Sequence, residues 1–222
     1  MIFKLADIIL HLDRYLQELI SVYSTTTYIF LFFVVFFETG LVVTPFLPGD
    51  SLLFAAGALA ALDMLNIELT FLIFLTASII GDTVNYHLGK FIGPKVFKRE
   101  GSFFFNKKHL WQAQRFYEKH GKKTIVLARF VPIIRTFAPF VAGVGKMSYT
   151  IFLFYNVLGA FLWCTLFVFG GYFFGNIAWV QDNFGILVLV IIFVSLLPFI
   201  IEIIKYLKIK ILQKINHEKT AS

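Results

Sequence analysis

The chain has 222 residues, 59% of them hydrophobic and 15% charged, with a mean hydropathy of +0.80, which excludes an ordinary soluble domain. The net charge of +7 does not indicate a nucleic-acid binder, because its distribution accounts for it. Ten of the 20 Lys and Arg fall between Lys90 and Lys123 and five between Lys205 and Lys219, beside apolar segments, as expected of cytoplasmic loops.

In chain order, residues 3–20 read as an amphipathic helix, with Phe3, Ile8, Leu12, Leu16 and Leu19 against Lys4, Asp7, Arg14 and Glu18. His11, Asp13, Arg14 and Glu18 interrupt the place of an apolar signal core, so this segment is not read as a secretory signal. Tyr28 to Phe37 is a dense aromatic and β-branched run ending at Glu38, and Thr39 to Ala61 is apolar but broken by Pro45, Pro48 and Gly49. A transmembrane helix is predicted over 69–89. A basic region from Lys90 to Lys123 contains a second amphipathic candidate, Lys107 to Lys119. A second broken apolar stretch, Thr124 to Gly145, holds Arg129, Pro132, Arg135 and Pro139. Lys146 and Asp182 bracket 35 uncharged residues and Asp182 and Glu202 bracket 19, which predicts spans at about 149–175 and 184–204 before a basic tail over 206–222.

The order of amphipathic helix, Pro-broken stretch and transmembrane helix occurs twice, over about 3–93 and 103–175. Phe54-Ala55-Ala56-Gly57 echoes Phe140-Val141-Ala142-Gly143, and Gly89 to Gly93 echoes Gly171 to Gly175. Parity predicts the course of the broken stretches. If 124–145 crossed the membrane, the Lys-rich tail would end outside; if it dips in and returns, residues 90–123 and the tail both lie in the cytoplasm. The expected fold is therefore an all-α integral membrane protein: one domain over 1–205, built as an inverted repeat of amphipathic helix, re-entrant hairpin and transmembrane helix, plus the helix 184–204. Inverted repeats with Pro- or Gly-broken helices are a common transporter plan, with the substrate near the midplane.

The two hairpins hold four ionisable residues, Glu38 and Asp50 in the first and Arg129 and Arg135 in the second. A charge at bilayer depth costs several kcal/mol unless it is paired or faces water, so two acids opposite two arginines read as a complementary functional set. The structural alternative makes Asp50 a helix cap and Glu38–Arg129 an ion pair. Asp82 is placed towards the cytoplasmic end of its helix, as a proton-relay carboxylate or an interfacial residue. The five histidines show no metal spacing and no catalytic motif is present, so neither metal, cofactor nor enzymatic chemistry is expected. Cys164 is read as packing, and Trp111, Trp163 and Trp179 as interfacial anchors or packing.

The stretches Phe37-Glu38-Thr39-Gly40-Leu41 and Phe46-Leu47-Pro48-Gly49-Asp50-Ser51-Leu52-Leu53 resemble the first signature of the bacterial DedA family. Gly81-Asp82-Thr83-Val84-Asn85-Tyr86 with Gly89, and Lys123 to Pro132 followed by Arg135-Thr136-Phe137-Ala138-Pro139 and Ala142-Gly143, resemble the second. The resemblance covers about residues 5–205. It implies a multi-pass protein of the bacterial inner membrane with two opposed re-entrant hairpins, important acids at Glu38 and Asp50, and important arginines at Arg129 and Arg135. For some members it implies return of undecaprenyl phosphate across the membrane coupled to the proton gradient.

The expected function is thus a flippase for an anionic lipid, with Arg129 and Arg135 binding the phosphate and Glu38, Asp50 and Asp82 coupling to protons. In this scheme protonation of Glu38 loosens its hold on an arginine and frees that guanidinium for the phosphate. A proton- or cation-coupled antiporter for small molecules and a non-transporting envelope organiser are the alternatives. Nucleic acid is not an expected partner, and self-association is left open.

Overall fold

The computed structural model describes residues 24–41, 49–96, 107–182 and 190. The predicted helix at 3–20, the breaks at Pro45 and Pro48, all of the span 184–204 but residue 190, and the basic tail lie outside them. Among the described residues the structure is entirely helical, without strands.

Helix α1 (Ser24–Gly40) is so rich in Thr, Val, Ile and Phe that its intrinsic helix propensity is poor. It forms because an apolar environment leaves backbone groups no partner except one another. At 17 residues it is about 25 Å long, and α2 (Gly49–Ala61), at 13 residues, about 20 Å. Neither described stretch is as long as a hydrocarbon core of roughly 30 Å. A turn with Asp63 at φ 56° leads to Asn66, whose Oδ1 accepts the Leu69 amide at 2.8 Å and so caps α3 (Ile67–Val96). Helix α3 is long and apolar enough to cross a membrane between Ile67 and Phe91.

Helix α4 (Lys107–His120) matches the predicted amphipathic segment closely. Its buried Ala113 packs against Phe137 and Phe140, and Tyr117 donates to the Ala138 carbonyl at 2.9 Å; burial pushes the Tyr117 phenol above its ordinary range, keeping it a neutral donor. After a 3₁₀ turn at Gly121–Lys123 come α5 (Thr124–Ala128) and, beyond a break at residues 129–131, α6 (Pro132–Val144). Pro132 begins α6, where its missing N–H removes no helical hydrogen bond. Pro139, expected to break the stretch, lies inside α6 instead; the chain turns at 129–131, and the helix runs on through the proline. Helix α7 (Tyr149–Cys164), a π-helical turn at Thr165–Phe169 and α8 (Gly170–Gly175) make the second long apolar rod, Tyr149–Gly175, followed by the short α9 (Ala178–Asp182).

The polarity of the core is that of a protein surrounded by lipid. Phe30, Phe154, Leu166 and Phe173 face outwards, whereas Thr70, Ser78, Asn85 and Asn156 are fully buried. Cys164 is buried in the main apolar cluster with Leu53, Phe74 and Val168.

Close backbone approach sets the helix packing. Helix α1 crosses α3 where Gly40 meets Gly81, and a Cβ on Gly40 would stand 3.4 Å from the Gly81 backbone. Helix α2 lies against α8, and α6 against α3. A Cβ on Gly57 would collide with the Val168 carbonyl and one on Gly171 with the Phe54 carbonyl. On the other side, a Cβ on Gly143 would collide with the Tyr86 carbonyl and one on Gly89 with the Phe140 carbonyl. The two interfaces share one register: Phe54 and Gly57 meet Val168 and Gly171 as Phe140 and Gly143 meet Tyr86 and Gly89.

Neighbouring glycines provide a test. Gly171→Ala drives a methyl into the Phe54 backbone and is expected to destabilise the protein by about 2 kcal/mol or more. Gly170→Ala meets nothing within 4 Å and is expected to be neutral or slightly stabilising. Thermal unfolding of the detergent-purified variants should separate them by several degrees; equal midpoints would contradict this packing.

Candidate functional site

Where the short helices meet the long ones, five charged side chains converge. Glu38, in the last turn of α1, is 1% exposed, and Gly49 at the start of α2 donates its amide to Glu38 Oε1 at 3.2 Å. A Cβ on Gly49 would meet the Glu38 carboxylate, so a larger residue there would have to displace that carboxylate. Arg135, in the first turn of α6, divides its fork between two acids: Nη2 donates to Glu38 and Nη1 to Asp50 Oδ1 at 2.5 Å. The Asp50 side chain, second in α2, is 38% exposed, so it forms the open edge of the cluster.

The second arginine has a separate set of partners. Arg129, in the break after α5, donates through Nη2 to Asp82 and to Asn156 Oδ1 at 2.7 Å. Asn156 is held by donating to the Ile79 carbonyl at 3.1 Å, and the Arg129 stem passes over Gly159, whose Cβ would stand 3.0 Å from Arg129 Cδ. Trp163, on the same face of α7, lies beside both arginines. Its ring centroid is 5.8 Å from the Arg129 guanidinium carbon and 5.1 Å from that of Arg135, and its Nε1 donates to Asp50 Oδ1 at 2.8 Å. Asn85, one turn along α3 from Asp82, donates to the Thr39 carbonyl at 3.1 Å and the Thr136 carbonyl at 2.8 Å, tying the end of α1 to the start of α6.

All five predicted charged residues thus lie in one cluster, but the pairing differs from the Glu38–Arg129 alternative. Glu38 pairs with Arg135 because α6 begins beside the tip of α1, and Arg129 turns towards α3, where Asp82 meets it. Asp82 is also not an end residue: α3 runs on to Val96, leaving Asp82 midway along it and 2% exposed. Asn156 joins the cluster without having been singled out in the sequence, Asn85 is named there only within a family signature, and Trp163, expected as an interfacial anchor or packing, is fully buried beside the charges. The available signal is an asparagine inside 35 uncharged residues, with the tryptophan two turns later on the same helix face.

Three carboxylates face two guanidiniums, a formal charge of −1 with every group ionised. Hydrogen bonding is also incomplete. Of seven buried side-chain polar atoms without a partner among the described residues, six belong here: Glu38 Oε2, Asp82 Oδ1, Asn85 Oδ1, Arg129 Nε and Nη1, and Arg135 Nε. An unmet buried polar group costs roughly 1–3 kcal/mol, and bound water or a ligand with matching donors and acceptors would offset that cost. Two guanidiniums with spare N–H donors can take an oxyanion bidentately, and the carboxylates can exchange protons.

Two helices long and apolar enough to cross a membrane, with a buried charge cluster between them, fit a membrane protein with an internal polar site. The chain belongs to the DedA family of membrane proteins: the VTT domain matches residues 47–173. It is 55% identical to Protein DedA of Escherichia coli K12 over 208 residues, 93% of this chain and 95% of that one. It is 42% identical to an uncharacterized membrane protein of Mycobacterium leprae over 76% of this chain and 75% of the relative. It is 30% identical to the inner membrane protein YqjA of E. coli K12 over 67% and 68%. No solved structure matches the chain.

The pairing makes a stability prediction. Asp82→Leu leaves Arg129 buried without its counter-ion and is expected to cost about 3–5 kcal/mol, seen as lost folded yield. Adding Arg129→Met removes the orphaned charge and should restore most of that yield without restoring function. A double variant no better folded than Asp82→Leu would contradict the pair.

Proposed function

We propose that this chain is a proton-coupled transporter that carries the phosphate headgroup of an anionic lipid, a polyprenyl phosphate such as undecaprenyl phosphate, across the bacterial inner membrane. The observation that carries this reading is the pair of buried arginines whose free N–H donors lie among carboxylates that neutralise them. A phosphate entering the intact cluster would add negative charge to a formal −1, which is strongly opposed in a low dielectric. Protonation of one carboxylate brings the cluster to neutrality and protonation of two makes it cationic, so uptake of the anion and of protons are linked by charge alone. Glu38 and Asp50 release Arg135 in this scheme, and Asp82 releases Arg129.

The proposed architecture is an inverted repeat with two re-entrant hairpins, α1–α2 and α5–α6, entering from opposite faces. It is supported by the shortness of α1 and α2, by the shared register of the two glycine interfaces, and by the basic residues beside the long helices. The inner-membrane location follows relatives bearing that name. Residues 90–123 and the C-terminal tail are assigned to the cytoplasm. Cysteines placed at 107 and 215 in a Cys164-free protein are expected to resist an impermeant thiol reagent in intact cells; labelling of both from outside would reverse the assignment.

The formal charge of −1 also suits a cation, which supports a proton- or cation-coupled antiporter as the second reading. Flipping of a polyprenyl phosphate in proteoliposomes separates the two. The expected result is flipping that responds to an imposed pH gradient, falls by about tenfold or more in Arg129→Lys and Arg135→Lys because lysine lacks the fork, and loses its gradient dependence in Glu38→Gln. Wild-type flipping indifferent to the gradient would remove proton coupling. Absence of flipping together with gradient-driven cation exchange would favour the antiporter.

A further inference from the structure

Trp163 touches both ion-pair systems. Its N–H shares Asp50 Oδ1 with Arg135, and its ring lies beside both guanidiniums. It is fully buried, so it cannot serve as an interfacial anchor. The arrangement is unequal in a useful way. Glu38 keeps the Gly49 amide when Arg135 leaves, whereas Asp82, bonded among the described residues to Arg129 alone, keeps no such donor when that arginine leaves. Among the described residues, the Asp50 carboxylate has only Arg135 and Trp163 as partners.

Resting on the phosphate reading above, we propose that Trp163 is a positioning residue of the anion site: its N–H retains Asp50 when Arg135 turns to the phosphate, and its ring holds both arginines in place. Without that donor, Asp50 has no partner among the described residues until water reaches it from the open edge, so the release of Arg135 slows while the guanidinium, once freed, takes the phosphate as before. The ring supplies a different service. Cations beside an aromatic ring are attracted to it without losing N–H donors to it, so both guanidiniums stay near one site while their forks remain free to change acceptors.

These two services predict different losses. Trp163→Phe keeps an aromatic ring and deletes the N–H, so farnesyl phosphate affinity should stay within about threefold while the flipping rate falls by about tenfold, the size expected for one hydrogen bond to a charged group. Trp163→Leu should weaken binding as well. Equal loss of rate and affinity in Trp163→Phe, or no loss of either, overturns the proposal.

A second measurement does not depend on those variants folding. In a protein carrying Trp111→Phe and Trp179→Phe, Trp163 is the sole indole. Farnesyl phosphate should change its emission, and farnesol, with the same chain and no phosphate, should not. Calorimetric binding of farnesyl phosphate with unchanged emission overturns the role of Trp163 alone. No calorimetric binding of farnesyl phosphate to wild-type protein overturns the phosphate reading, and this proposal falls with it.

Discussion

A charge in an apolar interior must have a partner, and much of this structure follows from five charges obeying that rule. Glu38, Asp50 and Asp82 come from the first half of the chain and Arg129 and Arg135 from the second, so every ion pair in the cluster joins the halves. Burial makes each pair demanding, because removal of one member leaves the other with an uncompensated charge. The pairs also differ in setting. Arg129 and Asp82 are enclosed and helped by Asn156, whereas Arg135 bridges one enclosed acid and one partly exposed acid. Arg135 is therefore the arginine that can be approached from an open side, past Asp50.

Glycine makes this geometry possible. A short helix can bring a charge to a long one only if the two backbones nearly touch, and Gly40 with Gly81 allows that next to Glu38 and Asp82. The matched interfaces of α2 with α8 and α6 with α3 hold the other two short helices in the same way. Asn85 then joins the end of α1 to the start of α6 without charge, using its amide N–H groups on Thr39 and Thr136. The site is thus braced by neutral contacts in addition to its ion pairs.

Much of this is legible in the sequence because intramembrane charges are rare and carry their own warning. Four of them stand in or beside Pro-broken apolar stretches, and the spacing shared by Phe54–Gly57 and Phe140–Gly143 anticipates two interfaces with one register. What stays hidden is pairing. Sequence distance says nothing about whether Glu38 meets Arg129 or Arg135, and Asp82 looks terminal only because the helix is expected to stop at Gly89, seven residues short of Val96. Trp163 is hidden for another reason: a tryptophan in an apolar run carries no sign of what faces its N–H. Pro139 misleads because proline usually marks a break. Here the turn falls earlier, at 129–131, and α6 absorbs the proline.

The order of the charges along the chain has a consequence for biogenesis. Asp82 precedes its arginine by 47 residues and Glu38 precedes its own by 97. At ribosomal rates of about 5–20 residues per second, Glu38 is made roughly 5–20 s before Arg135 exists. During that interval the nascent first half holds the three acids of the site and neither of its arginines. Burying those acids alone would cost more than burying the finished pairs, so the charges of the site are matched only once the second half of the chain exists.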